Sequence, residues 1–356
     1  MVSLKKYDFI IVGNGLAGSL LANELLEKGQ KILVFADISM KSSSMVAGGM
    51  VNPVTGKYLA KTWLIDELFG LLFDYYRGLE VEFKERFFYQ TGLFRPFANE
   101  ESKANFLNQI EKHQLHDYLE VQENTNAYSP HFNVNLGGMY TQKAGWLDVP
   151  TLLSKIKEKL IFWEAYKEAK FVHEDLIFED SGFRYKDIFI QKIIFCEGFY
   201  AAQNPFFNWL PFNPVKGESL LAKINDYGIQ SIVNQGKWIM PLGNGTVRIG
   251  ATYSWHELDF ENTERGRDEL LSNATKILNT EFEITGQQAG VRPSTKDRRP
   301  ILGEHPYHKN MFIFNGLGTK GVSLAPYFVK QLSEFIFLQK DINPEANIER
   351  HYPLYS

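Results

Sequence analysis

The first forty residues hold a strand, a glycine turn, a helix and a second strand, in that order. The apolar run Tyr7-Asp8-Phe9-Ile10-Ile11-Val12 feeds directly into Gly13-Asn14-Gly15-Leu16-Ala17-Gly18. Ser19 to Lys28 follows, with Leu20, Leu21, Leu25 and Leu26 on one helical stripe, and Gly29 stops the helix. Lys31-Ile32-Leu33-Val34-Phe35 then reads as a buried strand. A Gly-x-Gly-x-x-Gly turn inside a β-α-β unit of about 30 residues is a dinucleotide-binding fingerprint. Gly13 permits the tight turn, Gly15 lets a pyrophosphate approach the backbone, and Gly18 lets helix and strand pack closely. With Leu16 and Ala17 they form the loop expected to cradle phosphates on N–H groups at the positive end of the helix.

The acid that accepts hydrogen bonds from the adenosine ribose should close the second strand. That place holds Ala36, and Asp37 follows one residue late. A one-residue offset turns a side chain to the other face of a strand. Asp37 can therefore serve as the ribose ligand only if the strand has already ended; otherwise it is a solvated loop carboxylate.

A chain of 356 residues accommodates two domains, or one large domain with a second inserted in it. With 28 Phe and 17 Tyr it can line a large core and apolar pocket walls. A net charge of −4 argues against a nucleic-acid-binding surface. Cys196 is the single cysteine, which excludes an intrachain disulfide and a cysteine-rich metal site, and fits a cytoplasmic protein. Lys5-Lys6 before an apolar run imitates a signal peptide, but Asp8 heads that run and cleavage near Ala22 would destroy the glycine fingerprint. No apolar run is long enough to span a membrane; Leu68 to Phe73 is bounded by Glu67 and Asp74.

Beyond the opening unit, Ser42 to Pro53 is small, glycine-rich and poor in charge, as expected where backbone lies against a ligand. Helices are expected over 62–76, over 100–113, from Asp148-Val149-Pro150 onward, over 262–279 and over 322–338. Lys170 to Val172, Phe183 to Phe189 and Lys192 to Gly198 read as strands. Residues 214–254 read as an antiparallel meander of Glu218–Ala222, Gly236–Met240 and Thr246–Thr252, with Gly243-Asn244-Gly245 as its hairpin turn. A final strand, Met311–Asn315, turns through Gly316-Leu317-Gly318-Thr319-Lys320-Gly321 into the last helix. This second strand–glycine loop–helix offers another set of N–H donors, so both glycine loops could meet one extended ligand.

Taken in order, these blocks resemble the FAD-dependent amine and amino-acid oxidoreductases typified by D-amino-acid oxidase, glycine oxidase and sarcosine oxidase. The likeness rests on Gly13-x-Gly15-x-x-Gly18, Ser44 to Pro53, Gly145-Trp146-x-Asp148 and Cys196-Glu197-Gly198. It continues through Pro214 to Glu218, Met240-Pro241-x-x-Asn244-Gly245, Ile249 to Thr252, Gly290 to Pro293 and Gly316 to Gly321. The ordered set favours FAD over NAD. The resemblance implies an α/β fold: a Rossmann-like FAD domain of the glutathione-reductase type, covered by a mainly antiparallel sheet domain. The expected FAD domain is 1–60, 143–213 and 286–340; the expected substrate domain is 61–142 and 214–285, with 341–356 a C-terminal tail.

The same resemblance supplies site residues. Gly13, Gly15 and Gly18 match the pyrophosphate loop. Ser43, Ser44, Gly48, Gly49 and Met50 match the segment passing pyrophosphate and flavin, and Gly198 ends a strand beside the cofactor. Val172 matches a residue whose backbone meets the adenine. Gly318, Thr319, Lys320, Gly321 and Val322 match the loop at the pyrimidine edge of the isoalloxazine, where N–H donors and the Lys320 ammonium would stabilise the reduced, anionic ring. The alternative for Lys320 is a surface lysine past a strand. Arg292 matches the substrate-carboxylate anchor, a role suited to a planar guanidinium; the alternative is a pairing with Glu197 or Glu218. Arg298 and Arg299, beside Asp297, read as loop salt bridges. Trp238 stands where glycine oxidase has a tyrosine and could wall the pocket. Nothing matches a flavin-linking cysteine, so noncovalent FAD is expected, and no metal.

The implied activity is oxidation of a small amino acid or secondary amine carboxylate by hydride transfer to flavin N5, with oxygen or another electron acceptor reoxidising the flavin. Alternatives are a tRNA wobble-uridine aminomethyl oxidase of the same fold, a hydroxy-acid dehydrogenase, and a non-catalytic flavin carrier. Substrate identity, the acceptor and oligomeric state stay open.

Overall fold

Strands running parallel from the N-terminus build the first of two compact units. The computed structural model describes residues 4–355. The first unit takes the described residues up to Ala47, Val149–Val215 and those from Val291; the second takes Gly48–Asp148 and Lys216–Gly290.

In the first unit, Lys5–Val12 lies parallel between Ile32–Ala36 and Ile188–Phe195. Tyr166–Glu168 extends the parallel array on one side and Met311–Asn315 on the other. Ile301–Glu304 adds an antiparallel edge to Met311–Asn315. The antiparallel pair Leu176–Glu179 and Gly182–Tyr185 continues the sheet from the first half of Ile188–Phe195. Ile10, Ile11, Val34, Ile193 and Ile194 are fully buried, as parallel strands covered on both faces require. The helix Leu16–Glu27 packs between Val149–Phe162 and Gly321–Leu338.

The second unit is an eight-stranded, mainly antiparallel sheet. Its order is Glu283–Arg292, Val215–Lys223, Thr246–Gly250, Lys237–Gly243, Ile232–Gln235, Leu93–Pro96, Gly138–Thr141 and Glu120–Gln122. One internal pair, Ile232–Gln235 with Leu93–Pro96, is parallel. Leu220, Ile239, Val247 and Ile249 form one face of this sheet with Leu270 and Ala274 of the helix Glu264–Ile277. A small antiparallel sheet of Met50–Val51, Gly145–Leu147 and Phe88–Tyr89 completes the unit. Among the described residues, no helix is long and apolar enough to cross a membrane.

Several expectations need correction. Lys170–Val172 is not a strand: the sheet ends at Glu168, and Val172 leads into a 3-10 turn over His173–Asp175. Its N–H goes to the Tyr185 hydroxyl instead of a neighbouring strand. Phe183 to Phe189 is a hairpin that turns at Lys186, whose φ is +54°. The strands Ile232–Gln235 and Glu283–Arg292 were not expected. The second helix spans Ile65–Phe83, with Asp66 and Glu67 in its first turn to complement the macrodipole. Residues 48–60 and 143–148 fall in the second unit because Met50–Val51 pairs with Gly145–Leu147, and 286–290 lie there too. Residues 341–355 are no tail: Leu302 N–H donates to Ala346 O at 3.0 Å and Ile348 is fully buried in the first unit's core.

Candidate active site

In the first unit, four parallel strands end level with one another. Val12 is in register with Phe35 and Phe195, and Phe195 with Ile313. The residues just past those ends are Gly13, Asp37, Cys196-Glu197-Gly198 and Gly316 to Lys320, the residues the sequence nominated. At Gly13 φ is +105°, and a Cβ there would collide with Cys196 O, so the turn requires glycine. A Cβ at Gly18 would strike Gly13 O and come within 3.1 Å of Cys196 Cβ, which fixes how closely helix and strand approach. Leu16, Ala17 and Gly18 open the helix, so their N–H groups have no carbonyl one turn back inside it. Leu16 N–H donates to Ser44 Oγ at 3.1 Å, and a Cβ at Gly15 would stand 3.3 Å from that hydroxyl. Ser42 caps the short turn Ser43–Val46, its Oγ accepting from Ser44 N. Sequence reasoning nominated Ser43 and Ser44 but missed this bond. A cradle of helix N–H groups and a serine hydroxyl, cleared of side chains by glycine, fits a pyrophosphate.

The second helix N-terminus stands beside the first, since a Cβ at Gly321 would lie 3.5 Å from Leu16 Cδ2. Its loop is held by Asn315: Oδ1 accepts from Gly316 N at 2.8 Å and Nδ2 donates to Gly198 O at 3.0 Å. Gly318 N–H donates to Pro293 O at 3.1 Å, and Ser294 N–H to Arg292 O at 2.8 Å. These bonds set the backbone that follows Arg292, at the end of its strand, against the Gly318–Lys320 loop. Thr319 is exposed, whereas Val322 is buried in the helix. Lys320 precedes the helix Gly321–Leu338, and its ammonium is held below the ordinary lysine range by burial and by Arg299 and Arg298 nearby. Lys320 is the loop's own cation, and an anionic ring edge needs positive charge there.

Asp37 follows a strand that ends at Ala36, which meets the condition for facing a ribose. Its Oδ1 accepts from Ser39 N at 2.9 Å and Ser39 Oγ at 2.6 Å. Val172 offers less than expected: its N–H donates to Tyr185 Oη and its carbonyl accepts from Asp175 N, both at 3.1 Å. A carbonyl can take a second donor, but the N–H is spent. Glu197 accepts from His173 Nε2 at 2.9 Å and Asn204 Nδ2 at 2.6 Å. Glu218 accepts from Thr263 N, Thr263 Oγ1 and Gln287 Nε2. Each carboxylate considered as an Arg292 partner therefore also accepts from other groups. Arg299 pairs with Glu345 at 2.9 Å and Asp297 with Arg350 at 3.2 Å, while Asp297 also accepts from the Arg299 backbone N–H.

The second unit gathers Gly48, Gly49, Met50 and Trp238. Trp238 is in register with Gly250, and a Cβ at Gly250 would collide with its indole; at Gly48 the clearance would be 2.9 Å. Trp238, Met50 and Met240 pack with Trp146 and Tyr89, whose rings stack at 4.4 Å. Leu147 N–H donates to Gly49 O at 3.0 Å, which seats the Gly48–Met50 segment on the small sheet. Arg248, in register with Met240, was missed. Period-two alternation was the available signal: Val247 and Ile249 are fully buried in the core, so Arg248 faces the other way with Gly250.

Comparison with known proteins agrees with this arrangement. The chain is 24% identical over 350 residues to glycine oxidase of Geobacillus kaustophilus (strain HTA426), covering 90% of each chain. It is 21% identical over 355 residues to the tRNA 5-methylaminomethyl-2-thiouridine biosynthesis bifunctional protein MnmC of Marinobacter nauticus, covering 93% of this chain but 55% of that protein. Its fold matches the crystal structure of glycine oxidase from Bacillus cereus ATCC 14579 with a TM-score of 0.80 at 20% identity, over 94% of this chain and 96% of that one. The family described as FAD dependent oxidoreductase (DAO) matches residues 8–334, nearly the whole of both units. With two glycine-lined helix starts meeting at the strand ends and a family match of that extent, the chain belongs to the DAO family of FAD-dependent oxidoreductases.

Proposed function

We propose that this enzyme oxidises a small amine-bearing carboxylate, an amino acid or an N-substituted amino acid, with FAD bound noncovalently. The observation that carries the reading is the bond from Gly318 N–H to Pro293 O, which sets the backbone next to Arg292 beside the loop that holds Lys320. When bound, FAD supplies the two-electron acceptor for oxidation of the carbon bearing the amine. Arg292 takes the substrate carboxylate in a bidentate fork and so orients that carbon. The loop N–H groups and the Lys320 ammonium offset negative charge that develops at the ring edge they face. Trp238, whose indole packs closely on Gly48 and Gly250, is the aromatic residue this reading assigns to the pocket wall. An amine arriving neutral needs no protein base, and the imine released is hydrolysed in solvent. Asp37 serves the ribose, and the carbonyl of Val172 the adenine.

Noncovalent attachment is supported by Cys196, which is buried at a strand end and whose thiol is pushed well above its usual range by that burial. Acid precipitation should release all the flavin into the supernatant; flavin retained on the protein refutes this. The substrate reading is tested by anaerobic mixing with glycine, sarcosine, alanine of each hand, proline and lactate. Amine carboxylates should bleach the flavin and lactate should not. Arg292→Ala should raise KM for the effective substrate on the order of a hundredfold; unchanged kinetics would remove the anchor. A second reading draws on the MnmC match, which spans 93% of this chain. In that case only a tRNA carrying an aminomethyl group on its wobble uridine bleaches the flavin, and free amino acids do not.

A further inference from the structure

Three cations of the second unit gather around one small cavity. In the strand Leu93–Pro96, Phe94 packs into the core shared with the helix Glu264–Ile277, and Leu93 and Arg95 take the opposite face. Arg95 is in register with Met139, and the two line the cavity together with Val54, Leu59, Leu93 and Leu119. Arg95 Nη1 donates to Gly56 O at 2.9 Å, which occupies one of the five donors of a guanidinium. The group also covers the Phe106 ring at 5.8 Å. Burial alone lowers the Arg95 pKa, and no acid opposes that fall. In the first unit, by contrast, the burial of Arg350 is opposed by Asp297, with which it pairs.

Two lysines stand beside the same cavity. Lys61 is in register with Val54 across the hairpin of Val54–Thr55 and Ala60–Lys61, so the two side chains share a face. Lys143 lies two residues past Thr141, which is also part of the lining. Both ammonium groups lie over the ring of Tyr118, at 5.2 and 5.5 Å, and Tyr118 directly precedes Leu119 of the cavity wall. Asp66 takes the hydroxyl edge of that ring, accepting from Tyr118 Oη at 3.1 Å, and the exposed Asp117 is a further acid nearby. Neither acid pairs with Arg95, Lys61 or Lys143.

A half-buried guanidinium with no countercharge is unfavourable, and an uncharged glutamine could hold the Gly56 carbonyl without that penalty. A ligand that brings its own negative charge restores the balance. The planar fork takes two oxygens of an oxyanion, and the lysines add point charges beside it. Arg95 alone would match one carboxylate; three cations match a group with more than one negative charge. We propose that Arg95, Lys61 and Lys143 form a binding site for a multiply charged oxyanion, phosphate or the phosphate end of a small ester. The site lies within the second unit and is independent of the amine chemistry proposed above.

The test uses the FAD-loaded enzyme with inorganic phosphate, methyl phosphate and acetate as probes, at an ionic strength held constant with chloride. Titration calorimetry and thermal melts read the binding. Phosphate should bind saturably and, well above its Kd, raise Tm by a few degrees. Acetate should bind about tenfold or more weakly. Arg95→Met should weaken phosphate binding at least tenfold, and Arg95→Lys should keep part of it. Lys61→Met combined with Lys143→Met should weaken it about threefold to tenfold. Methyl phosphate bound as tightly as phosphate supports the site and makes an ester end its ligand; phosphate bound alone supports it with the free ion as ligand. No binding of either phosphate probe to the wild type, or acetate bound as tightly as phosphate, overturns the proposal. So does Arg95→Met that melts lower yet keeps the full phosphate response, since Arg95 is then a tie for the hairpin. Should Arg95→Met fail to fold, the double lysine variant decides, because it removes no hydrogen bond; wild-type phosphate affinity in that variant overturns the proposal.

Discussion

Arg292 and Lys320 are both cations beside one glycine loop, yet only the lysine can lose its charge at an accessible pH. Burial is the main reason that Lys320 titrates below an ordinary lysine, with Arg299 and Arg298 adding repulsion. The sign for folding follows from linkage. The unfolded chain binds a proton that the folded chain gives up earlier, so stability rises with pH between the lowered and the ordinary lysine pKa. Flavin affinity runs the opposite way, because an anionic partner needs the ammonium. Affinity of the apoprotein for FAD should fall as pH rises through the lowered pKa, by about threefold to tenfold. Lys320→Met should bind FAD weakly at all pH values and show no such step. Fluorescence quenching titrations across the alkaline range measure both, and a step that survives in Lys320→Met would reassign the titrating group.

The opening strand, turn and helix were legible in the sequence because every link is local: apolar run, glycine spacing, 3.6-residue stripe. Met311–Asn315 was legible for the same reason, a short buried run closed by glycine. Lys170–Val172 was not, since its β-like composition yields to a single bond from Val172 N–H to a tyrosine thirteen residues on. Glu283–Arg292 was missed because its exposed, intermediate and buried residues follow no regular alternation. Arg248 was overlooked because its meaning lies in which face it takes, and only strand pairing fixes that. The helix–strand approach at Gly18 makes the sharpest test at this scale. A methyl group there meets the Gly13 carbonyl, which cannot rotate away, and Cys196 Cβ behind it. Gly18→Ala should force the helix Leu16–Glu27 off its strand, costing about 1–3 kcal/mol of stability. FAD binding should weaken at least as much, because the displaced N–H groups no longer converge. Denaturant melts with and without FAD check both, and wild-type values in both would disprove the close-packing role.

The first unit is assembled from three separate stretches of chain, and its last stretch closes it. Ile348 enters the core, Tyr352 Oη donates to Glu304 O at 2.9 Å, and Arg350 pairs with Asp297. Tyr355 then lies edge-on against His305 at 5.1 Å and Trp209 at 5.2 Å. His305 is itself buried, with Nδ1 accepting from Tyr307 N at 3.2 Å and His308 N at 3.1 Å. A protonated Nδ1 cannot accept either bond. Burial, helped by His308, pushes this histidine down to about 4 from its ordinary 6.5. The unfolded chain therefore binds a proton between those values that the folded chain refuses, and stability present above pH 6.5 is lost progressively as pH falls toward 4. His308 and His351 are also lowered by burial and add to the slope, so the isolating measurement is a difference. His305→Asn keeps an acceptor near Nδ1 without a titrating proton. Its Tm should start lower than wild type at neutral pH by a few degrees, yet decline less between pH 6.5 and 4. Parallel slopes for the two proteins would show that acid opens the molecule elsewhere, and that the closing segment is not its weak point.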